Sequence, residues 1–240
     1  MLRFFNYTIK KQNSTFIFNF IEYLLIMIKQ RIAIVVAGGT GTRMGAEIPK
    51  QFLLLLGKPI LMHTLKIFQS ITSIQEIILV LPECQIAAWQ VLCDKFHFSI
   101  KHTIIAGGET RFQSVLNGLG VVNNPEALVA IHDGVRPLVS VDTIERCFTE
   151  AEIYGNAVPA IKPVETIRYL DDNGSYPLDR ERVMLIQTPQ VFKASTIKRC
   201  YQTQWQPSFT DDASVAEFSG EKINLVEGNR ENIKITTPED

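Results

Sequence analysis

The chain has 240 residues, 46% of them hydrophobic and 20% charged, with a formal net charge of −1. That length and apolar content suffice for one α/β domain with a full core. The near-neutral balance leaves no broad basic face for nucleic acid, and the four cysteines (Cys84, Cys93, Cys147, Cys200) and four histidines (His63, His97, His102, His132) lack metal or redox spacing, so they read as reduced residues of a cytoplasmic protein.

Residues 1–28 differ from the rest of the chain. Phe16 to Ile28 is strongly apolar behind Arg3, Lys10 and Lys11, which mimics a signal peptide. It has no A-x-A cleavage site, and Asn19 and Glu22 interrupt it too often for a transmembrane helix. The expectation is an upstream, non-native extension with Met27 as the true start, and a single domain over residues 29–240. At the other end, Thr237-Pro238-Glu239-Asp240 has the cap, proline and acids of a helix start, so truncation is expected there.

Ile32 to Ala37 is a short apolar, β-branched run without polar alternation, suited to a parallel strand covered on both faces. It leads into Gly38-Gly39-Thr40-Gly41-Thr42-Arg43-Met44-Gly45, then Pro49-Lys50-Gln51-Phe52. Glycines let a turn bring its N–H groups close to a ligand, and a concave run of N–H groups binds anions. Arg43 and Lys50 add positive charge, so the natural guest is a polyphosphate. Neither common phosphate motif fits. The sixth place of G-x-G-x-x-G falls on Met44, and no Walker lysine followed by serine or threonine is present.

Further strands are expected at Ile77 to Leu81, Lys101 to Ala106, Leu128 to Ile131 and Val158 to Ile161. Helical spacing runs through Ile60 to Phe68, Ala87 to Phe96, Phe112 to Leu119 and Val141 to Ile153. This alternation predicts a doubly wound, mostly parallel α/β sheet, with ligands in the crevice beyond the strands' carboxyl ends. Three loops should then meet there: Gly38 to Lys50, Gly107 to Ser114 and His132 to Pro137. In the second, Thr110 and Ser114 could read a base or simply cap a helix. In the third, Asp133 ends a strand, where an acid can meet a divalent cation or a substrate hydroxyl, and Arg136 suits a phosphate or pairs with Asp133. His132 reads as a packing or hydrogen-bonding residue rather than a base.

Lys162 to Leu170, the turn Asp171-Asp172-Asn173-Gly174 and Ser175 to Arg182 read as a protruding β-arm. A lone hairpin is marginal, so it should pack on the same arm of a second chain. Asp211 and Asp212 read as caps of a helix from Ala213 to Phe218, and Lys234 as a cation that could be solvated.

In order, G-T-G-T-R-M-G, P-K-Q-F, G-G-E-T-R-F-Q-S-V, H-D-G-V-R-P, E-T-I, D-R, Q-T-P-Q-V-F, T-D-D-A-S and N-I-K-I-T-T-P-E-D run from Lys29 to Asp240. This series closely resembles the 2-C-methyl-D-erythritol 4-phosphate cytidylyltransferases, alditol-phosphate enzymes of the non-mevalonate route to isoprenoids. Mild departures are Glu109 and Glu165 in place of aspartate, and Gly134-Val135 in place of Ala-Ala or Ala-Val. The resemblance implies that Arg43 and Lys50 stabilise the transition state on the α-phosphate of CTP, with Arg180 and Lys234 also catalytic. It implies that Ala37, Gly38, Gly39, Gly41, Gly108, Glu109 and Ser114 bind CTP. Asp133, Arg136, Thr166, Arg180 and Lys234 would hold the acceptor, Thr166 and Arg180 being supplied by the neighbouring subunit of a homodimer. Mg²⁺ is the implied cofactor, with Asp133 its candidate ligand. The rival expectations are a ribitol 5-phosphate cytidylyltransferase, differing in the acceptor pocket, and a nucleotide-binding module without turnover. No nucleic-acid or membrane partner is expected.

Overall fold

The computed structural model describes residues 29–38, 48–237 and 239–240. The N-terminal extension and the loop residues Gly39, Gly41 and Arg43 lie outside the described residues. Arg31–Asp240 forms a compact unit. Its strands are β1 (Arg31–Val36), β2 (Leu54–Leu55), β3 (Lys58–Pro59), β4 (Ile74–Leu81), β5 (Thr103–Ala106), β6 (Leu128–Asp133), β7 (Asn156–Ile161), β8 (Arg168–Asp171), β9 (Gly174–Pro177), β10 (Leu185–Ile186), β11 (Gln190–Lys193) and β12 (Leu225–Glu227). The helices are α1 (Ile60–Ser70), α2 (Glu83–Lys95), α3 (Arg111–Gly120), α4 (Val141–Tyr154), α5 (Ala194–Cys200) and α6 (Asp212–Phe218).

Across the main sheet the order is β10-β7-β11-β6-β1-β4-β5, and β12 pairs with β7. The segment β6-β1-β4-β5 is parallel throughout, whereas β11 runs antiparallel to both β6 and β7. The sheet is therefore mostly parallel and mixed. Alternate residues of β1 explain why the strand reads as an unbroken apolar run. Ala33 and Val35 pack on the side of α1, α2 and α4, against Leu65, Trp89 and Phe148; Ile32, Ile34 and Val36 pack on the side of α3, α5 and α6, against Val115, Ile197 and Val215. Both faces are dry. Burying one such aliphatic side chain stabilises the fold by roughly 1.5–3 kcal/mol, so an aligned pair of clusters carries most of the stability.

Local signals set several boundaries. Thr110 caps α3 by accepting from the Gln113 amide, Ser140 caps α4 through the Thr143 amide, and Gly155 at φ +85° closes α4, a conformation that costs glycine little. Asp211 and Ser214 form a reciprocal capping box on α6.

The arm is shorter in ladder than its letters suggest. Only Arg168–Asp171 and Gly174–Pro177 pair, while residues 162–167 form no strand. One further bond, from the Leu178 amide to the Ile167 carbonyl at 2.9 Å, closes the pairing at that end.

Candidate active site

Gly38, Gly108 and Asp133 follow or end β1, β5 and β6, so the parallel strands bring their loops to one edge of the sheet. There they line a cleft of about 220 Å³ together with Ala37, Lys50, Glu109 and Ser114. Lys234 joins them from the C-terminal segment.

The root of the glycine-rich turn is fixed from below. Gln51 is fully buried and donates from Nε2 to the Ala37 carbonyl at 2.9 Å, while the Ala37 amide donates to the Val80 carbonyl at 2.9 Å. Gly134 lies close against the same point: a Cβ there would fall 2.8 Å from the Ala37 Cβ. The second glycine loop is shaped by Ser114, whose Oγ donates to the Thr110 carbonyl at 2.9 Å and accepts from the Gly108 amide at 3.2 Å. Ser114 thus spends its hydroxyl on loop geometry, and Glu109 stands exposed at the rim.

At the centre is Asp133, only 7% exposed. Lys234 Nζ approaches one carboxylate oxygen at 3.0 Å and Arg136 Nε the same oxygen at 3.4 Å, while Arg111 Nε lies 3.3 Å from the other. Burial alone would raise the acid's pKa, but Arg111, Lys234 and Arg136 outweigh it and hold the carboxyl well below its ordinary range. Lys234 is placed by backbone pairing, since the Ile235 amide donates to the Val135 carbonyl at 3.0 Å. Arg136 is steadied by donating to the Asn232 carbonyl at 2.7 Å.

A second cavity of about 220 Å³ lies on the other side of this cluster, lined by Arg136, Gln187, Thr188 and Thr210. Arg111, Asp133 and Lys234 border both cavities, so they form a wall between two chambers. One chamber carries the glycine loops and the other carries Arg136. Such an arrangement can bring two anions together across shared cations.

His132 is wholly buried, with Nε2 on the Arg136 carbonyl at 3.1 Å, Nδ1 on Thr188 Oγ1 at 3.0 Å and its ring 4.9 Å from that of Phe68. Burial pushes its pKa down to about 4, so it is a neutral packing and bonding group. Thr166 and Arg180 line neither chamber of their own chain; both are exposed, and Arg180 donates to the Val164 carbonyl at 2.9 Å.

Arg111 and Asp212 were missed as site residues by reading the letters. Asp212 is fully buried rather than merely a helix cap, and it accepts two bonds from Arg111 at 3.0 and 2.7 Å. Arg111 opens α3 beside the Thr110 cap, a position visible in sequence, but its partner lies 101 residues away.

Among the described residues no three His, Cys, Asp or Glu side chains gather as a metal cage. Asp133, the candidate magnesium ligand, is already shared by three cationic side chains.

The sequence profile of the 2-C-methyl-D-erythritol 4-phosphate cytidylyltransferases matches residues 31–240. An enzyme of that name from Bacteroides fragilis is 54% identical over 210 residues, covering 88% of this chain and 95% of the relative. One from Porphyromonas gingivalis is 50% identical over 215 residues, covering 89% and 96%. Among solved structures, the 4-diphosphocytidyl-2C-methyl-D-erythritol synthase of Anaerococcus prevotii superposes with a TM-score of 0.76 at 30% identity, covering 90% of this chain and 94% of its own. With its two-chamber cleft, its mixed sheet and these relatives over nearly their whole length, the chain belongs to the 2-C-methyl-D-erythritol 4-phosphate cytidylyltransferase family.

Proposed function

We propose that the chain transfers the cytidylyl group of CTP to 2-C-methyl-D-erythritol 4-phosphate, giving 4-diphosphocytidyl-2-C-methyl-D-erythritol and pyrophosphate. A phosphate oxygen of the acceptor attacks the α-phosphorus of CTP, and the bond from that phosphorus to the β-phosphate bridge oxygen breaks. The nucleophile is already largely dianionic at neutral pH because a phosphate monoester's second pKa is near ~6. No general base is needed, which agrees with the neutral, enclosed His132. The difficulty is electrostatic: a dianion must approach a triphosphate.

One observation carries the reading, namely the wall of Arg111, Asp133 and Lys234 shared by the two chambers. CTP occupies the chamber of Ala37, Gly38, Gly108, Glu109 and Ser114, with Gly39 and Gly41 completing its loop. Lys50 and Arg43 neutralise the α-phosphate, and Lys234 meets the incoming phosphate at the wall. The acceptor lies beyond the wall, its phosphate on Arg136 and its hydroxyls on Asp133. Magnesium carried on the triphosphate would supply further charge neutralisation there, with Asp133 the residue placed to meet it.

Residues 29–240 act as one nucleotidyltransferase domain in the cytoplasm, paired as a homodimer through the arm, with Thr166 and Arg180 delivered to the partner's acceptor chamber. Supporting the pairing, every residue of β8 and β9 is exposed, including Tyr169, Leu170 and Tyr176, and an isolated two-stranded hairpin is marginal. Among the described residues no helix is long and apolar enough to cross a membrane.

Pyrophosphate release with CTP, Mg²⁺ and either acceptor tests the reading. 2-C-methyl-D-erythritol 4-phosphate should support turnover and D-ribitol 5-phosphate should not; the reverse preference overturns the acceptor assignment, and no release with either overturns the reaction.

A further inference from the structure

Asp212 lies beneath the wall between the chambers and touches neither cavity. A buried carboxylate is costly, and a buried ion pair commonly stabilises a fold no better than well-packed apolar side chains. Its surroundings are nevertheless built around it. Asp212 accepts from both terminal nitrogens of Arg111 at 3.0 and 2.7 Å and from the Tyr201 hydroxyl at 2.6 Å. The turn that carries it is pinned by fully buried Gln190, whose Oε1 accepts from the Ala213 amide at 2.7 Å and whose Nε2 donates to Asp211 at 2.8 Å. The Tyr201 ring stacks on Phe112, the neighbour of Arg111, at 4.6 Å between centroids. Asp212 thus takes one N–H from each terminal nitrogen of the guanidinium, and the Nε–H faces Asp133 at 3.3 Å.

We infer that Asp212, backed by Tyr201, is a positioning residue for the acceptor: it divides the charge of Arg111 between two carboxylates and aims Nε at Asp133. A forked guanidinium left to one partner closes bidentately on it. With Asp212 holding both terminal nitrogens, Asp133 takes one donor from Arg111 on one oxygen, beside Lys234 and Arg136 on the other, and that first oxygen keeps a lone pair for a substrate hydroxyl. Removing the Asp212 charge releases Arg111 to close on Asp133 and block it. Arg111 also borders the nucleotide chamber, but the loops of that chamber are held by Gln51 and Ser114, so the change falls chiefly on the acceptor side. The inference rests on the acceptor assignment above.

Asp212→Asn keeps the shape and removes the charge, and Tyr201→Phe removes one hydroxyl. With folding checked by near-ultraviolet circular dichroism, the first should raise the acceptor KM about tenfold, the scale of one charge-assisted hydrogen bond, and the second about threefold. The KM for CTP should stay within about twofold in both, the span of an interaction left unchanged. A merely structural role would lower the active fraction, and hence kcat, without moving either KM. Folded variants whose acceptor KM is unchanged, or whose two KM values rise together, overturn the inference. Should Asp212→Asn fail to fold, Tyr201→Phe alone decides by the same criterion. A wild-type protein without turnover on either acceptor would instead refute the proposed reaction, and this inference with it.

Discussion

Replacing Asp133 with asparagine tests the centre of the site most directly. The substitution keeps the side chain's volume and removes the anion that faces Lys234 at 3.0 Å, Arg111 at 3.3 Å and Arg136 at 3.4 Å. At an effective dielectric of about 20, each such pair is worth on the order of 5 kcal/mol before desolvation is set against it. Desolvation offsets most of that, and Lys234 is 40% exposed and screened, so the net loss falls at the low end of breaking a buried pair, about 3 kcal/mol. Urea unfolding followed by circular dichroism at pH 7 should show that loss. The carboxyl is held below its ordinary pKa by its three cations, so its contribution is complete above the ordinary carboxylate range and disappears only as pH falls into strong acid. In steady-state pyrophosphate release, acceptor kcat/KM should fall by roughly ten- to a hundredfold, the scale of one charge-assisted hydrogen bond. A variant matching wild type in both urea midpoint and acceptor kcat/KM would refute the central place given to Asp133.

His132 makes a pH prediction of defined sign. Its folded-state pKa is pushed from 6.5 to about 4, so the unfolded chain takes up the proton first and the stability it supports, complete above pH 6.5, is lost as pH falls towards 4. Wild type should lose about 2 kcal/mol of urea stability more than His132→Gln between pH 7 and pH 5; parallel pH slopes would contradict the assignment. The arm makes a complementation prediction. Lys50→Ala and Arg180→Ala proteins should each be nearly inactive, and after subunit exchange the mixture should regain about a quarter of wild-type turnover, because half the dimers are mixed and each holds one intact site. Failure to regain activity in demonstrably mixed dimers would place Arg180 outside the partner's chamber.

Much of the parallel half was readable from the letters. Ile32 to Ala37 and Leu128 to Ile131 are apolar runs because residues on both faces of β1 and β6 are dry, and Thr110 and Asp211 were readable as helix caps by local chemistry. Strands β10, β11 and β12 span only two to four residues, too few for any periodicity to register. Asp133 was legible from its place at a strand end. Arg111 and Asp212 were not, because their significance resides in one contact across 101 residues. Asp212 in particular resembles a cap until burial shows it fully enclosed.

The reversed strand β11 has a consequence of its own. In a uniformly parallel sheet only outgoing connections gather at the carboxyl edge, whereas the antiparallel direction of β11 makes an incoming connection arrive there as well. Gln187 and Thr188 reach the acceptor chamber by that route, and Thr188 Oγ1 accepts from the Asp133 amide at 3.1 Å. Under the proposed acceptor assignment, substitutions in that short entry segment would retune which sugar-alcohol phosphate is admitted while leaving the nucleotide loops unaltered, a modularity that a sheet of one polarity would not offer.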